Sequence, residues 1–87
     1  MKEFTYTFPA APNGISLANI VGDGVNLLCS SVAIYNSNSN NISYGGPTIR
    51  NFILEPNNSA ALPIRSLKDL WVEGVQNDIL SLLVFYE

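Results

Sequence analysis

Residues 79–86 read Ile-Leu-Ser-Leu-Leu-Val-Phe-Tyr, and this octet decides the fold class. Alternate residues of an extended strand point to opposite faces. Ile79, Ser81, Leu83 and Phe85 therefore share one face, and Leu80, Leu82, Val84 and Tyr86 share the other. A strand from an antiparallel sheet with one wet side alternates apolar with polar residues. Here only Ser81 interrupts the apolar run. Both faces are thus expected to be covered, the second at least partly by another chain.

Outward from this octet the same period of two recurs. Phe4, Tyr6 and Phe8 alternate with Thr5 and Thr7, and Pro9 and Pro12 end the run. Those prolines set residues 1–9 apart as an N-terminal arm or edge strand with contacts beyond its own domain. Turn signals follow about every ten residues, the spacing of an all-β sandwich or barrel. Asn13-Gly14, Gly22-Asp23-Gly24, Gly45-Gly46-Pro47, Glu55-Pro56-Asn57-Asn58 and Gly74 to Asp78 supply them. Between these turns lie strand patterns over Ile15 to Val21, Val25 to Cys29 with Val32 to Tyr35 (one bent strand or two), Ile42 to Tyr44, Thr48 to Leu54, Ser59 to Ile64 and Leu70 to Glu73. Ser30-Ser31 is placed to hold a bulge. Pro63 lacks an amide donor, so its strand belongs at a sheet edge or turns there. Ser66 to Asp69 suits a single helical turn. No longer window has the i, i+3, i+4, i+7 spacing of an amphipathic helix. The expected fold is all-β: one antiparallel β-sandwich, jelly-roll-like or immunoglobulin-like, of about seven or eight short strands over residues 1–87.

Composition narrows the function. The 87 residues are 47% hydrophobic but only 13% charged, against about 25% in an average domain. Few charges leave a surface suited to burial against partners. The net charge is −3, and the four basic residues Lys2, Arg50, Arg65 and Lys68 are scattered. No basic stripe is present to neutralise phosphates, so nucleic-acid binding is not expected. The N-terminus has no apolar core of a signal peptide. No stretch reaches the ~20 apolar residues of a membrane span. Synthesis and residence in a cytosol, or in a particle assembled there, without a membrane partner, is the expectation. The single cysteine, Cys29, lies in an apolar run and reads as a buried thiol.

Groups that do chemistry are sparse. There is no histidine, the commonest general base and metal ligand. The acids Glu3, Asp23, Glu55, Asp69, Glu73, Asp78 and Glu87 are spread out and lie mostly beside turns. The Gly45-Gly46 turn opens no helix and is not a phosphate loop. No catalytic residue, cofactor or metal site is expected. Tyr35, Tyr44, Phe52 and Trp71 could form a platform for sugar rings, with Asn36 to Asn41 as a binding loop. Each aromatic sits inside a strand pattern, so a place in the core or in a subunit contact is the preferred reading.

From Val32 onward the order of motifs is familiar. It runs Val32-Ala-Ile-Tyr-Asn-Ser37, Ile42-Ser-Tyr-Gly-Gly-Pro-Thr-Ile49 and Phe52-Ile-Leu-Glu-Pro-Asn-Asn-Ser59, then Leu62-Pro63-Ile64. Leu67-Lys-Asp-Leu-Trp-Val-Glu-Gly74 and a turn at Asn77-Asp78 follow. This two-thirds of the chain resembles small all-β virion proteins of bacteriophages, which decorate heads or sit in other exterior structures. Asn57-Asn58 departs from that pattern, where a glycine is usual. The resemblance implies a structural role in a virion and self-association, with a trimer expected and the major capsid protein or another virion protein as partner. A capsid decoration protein is the first reading. A tail or fibre component, or a carbohydrate- or receptor-binding module, is the alternative. The candidate protein contacts are Phe4, Tyr6, Phe8, Leu80, Leu82, Val84 and Tyr86, and the candidate contact aromatics are Tyr35, Tyr44 and Trp71.

Overall fold

The computed structural model describes residues 2–10, 14–22 and 29–86. Eight strands form: β1 (Lys2–Thr7), β2 (Ile15–Ser16), β3 (Cys29–Asn36), β4 (Ile42–Gly45), β5 (Phe52–Leu54), β6 (Asn58–Leu62), β7 (Trp71–Glu73) and β8 (Ile79–Tyr86). They make two four-stranded sheets, ordered β1-β8-β3-β6 and β2-β7-β4-β5. All pairings are antiparallel, and they include β1 with β8, β2 with β7, β3 with β6 and β4 with β5. That nesting is what results when one long hairpin of four strand pairs is rolled over on itself. The fold is a β-sandwich of jelly-roll order, and of the two sandwich types expected it is the first.

The inner face of the first sheet decides what holds the sandwich together. Phe4 lies opposite Leu82, and Leu82 opposite Ile34; Val84 lies opposite Val32. Leu80, Leu82, Val84, Val32 and Ile34 are fully buried against Ile42, Leu54 and Val72 of the second sheet. Fully burying a Leu, Ile or Val side chain contributes about 1.5–3 kcal/mol, so this layer supplies most of the cohesion. The even-numbered residues of β8 thus face their own core. Leu80, Leu82, Val84 and the half-buried Tyr86 are not a surface for another chain. The octet is apolar on both faces, so its pattern carried no sign of which face turns inward. The outer face stays open within the chain, with Ile79 40% and Phe85 36% exposed.

Residues 2–8 are an edge strand, as expected, but they are built into the domain. Phe8 is buried, and Phe4 and Tyr6 pack against the core. The Tyr6 and Phe8 rings meet edge to face at 5.2 Å. Phe8 also exchanges backbone hydrogen bonds with the turn before β8, its N–H donating to Asp78 and its carbonyl accepting from Asn77. Its ring lies against Gly74, where a β-carbon would sit 2.6 Å from it. Phe4, Tyr6 and Phe8 are therefore inward-facing residues rather than contacts for a neighbour.

Several local expectations hold. The register slips between Cys29 and Ser31, a bulge at the serine pair. β6 is an edge strand ending just before Pro63. A 3-10 turn spans Leu67–Asp69. Cys29 is buried, its thiol donating to the Ile64 carbonyl at 3.1 Å. The segment after β2 differs from its expected strand. Leu17–Val21 is a short helix, α1, because Ser16 caps its start by accepting from the Asn19 amide and Gly22 closes it at φ 69°. That left-handed conformation suits glycine. Thr48 to Leu54 is also shortened to the three residues of β5. The turn at Asn13 and the strand expected over residues 25–28 lie outside the described residues.

Neighbours in sequence should therefore differ sharply in weight. Leu82→Ala empties a core position and is expected to cost about 2–5 kcal/mol. Leu83→Ala, on the half-exposed outer face, should cost about 1 kcal/mol or less. Urea unfolding of the two variants, followed by tryptophan fluorescence, checks which face is the core.

Candidate functional site

The loop Asn36 to Asn41 was the most polar stretch and a candidate binding loop, and its side chains are already engaged. Asn36 is fully buried, at the end of β3. Its amide nitrogen donates to the Asn40 and Leu54 carbonyls, both at 2.8 Å. Its oxygen accepts from the backbone and side-chain nitrogens of Asn38 at 2.9 and 2.8 Å. Both donors and both lone pairs of the amide are thereby satisfied. Asn38 pairs with the backbone of Ile79, donating to its carbonyl at 2.7 Å and accepting from its N–H at 2.8 Å. Asn40 donates to the carboxylate of Asp78. These asparagines lock the loop to the start of β8 and leave little free to grip a ligand.

The candidate aromatics do not converge. Tyr35 lies on the outer face of the first sheet, one position from the buried Ile34. Trp71 lies on the outer face of the second sheet, half-buried, with its indole nitrogen donating to the Lys68 carbonyl at 3.2 Å. Tyr44 follows the opposite parity in that sheet, opposite Val72 and Phe52, and stacks on the Phe52 ring at 5.4 Å. No common platform of Tyr35, Tyr44 and Trp71 exists.

Two other surfaces stand out. The first is the β5 edge of the second sheet, where Ile49, Phe52 and Ile53 are 60%, 61% and 53% exposed. Phe52 and Ile53 point to opposite sides of a strand that is the edge of its sheet among the described residues, and the Tyr44 ring stacks on Phe52 from the inner side. The charge beside the patch is internally used. Arg50 pairs with Glu73 through two nitrogens at 3.1 and 2.9 Å and also donates to the Gly46 and Pro47 carbonyls. Sequence reading noted Phe52 only as an aromatic. Its exposure follows from β5 being an edge, which no local pattern encodes.

The second surface is a trough of 420 Å³ on the outer face of the first sheet. Across its strands, Thr5, Ser81, Tyr35 and Ser59 stand in one row. Glu3, Leu83, Ala33 and Ala61 stand in the next. Of these, only Tyr35 was singled out from sequence, because a row is defined by register between strands and not by spacing along one. A further hollow of 440 Å³ lies beside Pro9, Ser43 and Gln76, and its one charged group, Glu73, is held by Arg50.

Among the described residues no three acidic, cysteine or histidine side chains are grouped so as to hold a metal. No helix among them is long and apolar enough to cross a membrane. The Asn36 node gives a direct test of the loop's structural role. Asn36→Leu removes four hydrogen bonds and buries carbonyls without donors, at about 1–3 kcal/mol for each group left unsatisfied. A cooperative unfolding transition weakened by several kcal/mol, together with faster exchange of the Asn38 and Ile79 amides, is the expected result. Family models, curated proteins and solved structures yield no match to this chain.

Proposed function

We propose that this chain is a structural component of a larger protein assembly: a decoration protein that seats on the outside of a bacteriophage head as a homo-oligomer, a trimer, and stabilises it. The observation that carries the reading is the exposed β5 edge. Phe52 and Ile53 on β5, and Ile49 in the connection just before it, leave most of their surface to solvent, and the outer backbone edge of β5 has no strand partner among the described residues. Isolated exposed apolar residues are ordinary, but three clustered around one sheet edge suit an interaction site. An uncovered edge strand also invites pairing with another chain. Covering the patch contributes a few kcal/mol per copy at about 25 cal/mol per Å² of apolar surface.

The choice of a phage head comes from the motif resemblance that runs from Val32 through the apolar final strand, and the sparse charge of the chain suits a contact that is made once and kept. The partners in this reading are other copies of the chain and the major capsid protein. Stabilisation follows from mass action. A protein that binds only the assembled shell adds about 2.7 kcal/mol per site at a free concentration one hundred times its Kd. The chemistry at hand is contact chemistry, and the proposed role involves no turnover. A place in a tail or fibre would use the same edge.

Self-association through this patch should be indifferent to salt, because screening acts on charges and the nearby Arg50 is paired within its own chain. Sedimentation of the purified protein should show one oligomer at low and high salt. Phe52→Ser with Ile53→Asp should shift it to a monomer that still unfolds in one cooperative transition, at a somewhat lower temperature because association no longer stabilises it. Dissociation of the unaltered protein by salt would point to an ionic interface instead. For the particle, the expected outcome is that heads carrying the protein survive heating or osmotic shock that opens heads lacking it. Equal survival, or the protein's absence from purified heads, refutes the decoration role.

A further inference from the structure

We propose that the trough on the outer face of the β1-β8-β3-β6 sheet is a binding site for a neutral sugar. The trough is lined by Glu3, Thr5, Tyr35, Ser59, Ser81 and Leu83. Thr5, Ser81, Tyr35 and Ser59 are cross-strand neighbours, so one hydroxyl-bearing residue comes from each of the four strands. At about 4.8 Å between adjacent strands, the row is about 14 Å long. Its members are held in register by the paired strands of one sheet, which fixes their spacing before any ligand arrives.

Three properties select the ligand class. The four hydroxyl groups and the Glu3 carboxylate make no hydrogen bond or ion pair among the described residues, so their donors and acceptors are available. They can both give and accept hydrogen bonds, which matches a polyhydroxylated molecule. The Tyr35 ring is 39% exposed and stands beside the Ala33 and Leu83 side chains, an apolar surface for the C–H face of a sugar ring. No lysine or arginine lines the trough, and its single charge is the carboxylate of Glu3. An anionic ligand would be repelled there, whereas sugar hydroxyls can donate to that carboxylate in a charge-assisted bond. A buried Asn loop and an apolar edge elsewhere do not enter this site. The site lies on the opposite sheet from the β5 edge and does not depend on the assembly role.

The test is NMR titration of the full chain with a panel of neutral sugars: glucose, galactose, mannose, N-acetylglucosamine and their short oligomers, with sialic acid as the anionic control. At least one neutral sugar should shift the amides of Thr5, Ala33, Tyr35, Ser59 and Ser81 in a saturable way. Tyr35→Ala should weaken that binding about tenfold or more, and Ser81→Ala about fivefold, the weight of one hydrogen bond. Both side chains stand at the surface, so unfolding midpoints should stay unchanged and certify the fold. The monomeric Phe52→Ser, Ile53→Asp variant should bind equally well, which separates this site from the assembly contact. Three outcomes would overturn the proposal: no saturable shift with any neutral sugar, a preference for sialic acid, or binding that survives Tyr35→Ala. A shift of Tyr35→Ala to a smaller oligomer would overturn it too, since the trough would then be covered by a second copy.

Discussion

The amide of Asn36 joins three parts of the molecule at one buried point. Its carbonyl side holds the β3–β4 loop through Asn38, and its nitrogen reaches across to the Leu54 carbonyl at the end of β5. Its own backbone carbonyl accepts from Asn57 at 2.6 Å in the turn before β6. Sandwiches are otherwise held by apolar contact, which is non-directional and tolerates sliding. A fully satisfied polar group between the sheets permits only one alignment, because any slip leaves donors and acceptors unpaired in a dry interior. The apolar layer of Leu80, Leu82, Val84, Val32 and Ile34 supplies the energy of closure. The amide supplies its register.

Much of this was legible in the chain itself. The period of two in residues 4–8 and the doubly apolar run 79–86 are strands, Pro63 marks an edge, and the serine pair at 30–31 makes the bulge. The helix Leu17–Val21 was not legible, because its residues alternate well enough for a strand and only its caps, Ser16 and Gly22, decide otherwise. The facing of β8 was not legible either. A run apolar on both sides carries no parity, and only the strands beside it choose the inner face. The candidate surfaces lay further from reach. The row Thr5-Ser81-Tyr35-Ser59 draws one residue from each of four strands far apart in sequence. None of the four is unusual where it stands.

The turn at Glu55-Pro56-Asn57-Asn58, ambiguous in sequence, is settled by its backbone. Asn57 has φ 64°, and the Asn58 amide donates to the Glu55 carbonyl at 3.1 Å. Proline at the second position with a positive φ at the third is the type II pattern. Asparagine here stands in for the usual glycine, since its side chain tolerates the left-handed region better than most. Asn77 does the same at φ 73° in the turn before β8. The two asparagine turns flank the Asn36 node, so the polar residues that replace charge in this chain are largely architectural.

The nesting of strand pairs also dictates an order of events in time. β8 lies between β1 and β3, and it is the last strand in chain order. As the chain leaves a ribosome, β1 has no neighbour in its sheet until residues 79–86 emerge, and β3 has only β6. The inner pair β4–β5 can form early, but Phe4, Tyr6, Val32 and Ile34 lack their β8 neighbours until residues 79–86 have emerged. Pairing strands so distant in sequence is slow, on the order of milliseconds to seconds for all-β domains. The apolar octet that closes the sandwich is thus also its timer. During that interval the nascent chain is most exposed to unwanted strand pairing, and the short, proline-bounded edges of β1 and β6 limit where such pairing can begin.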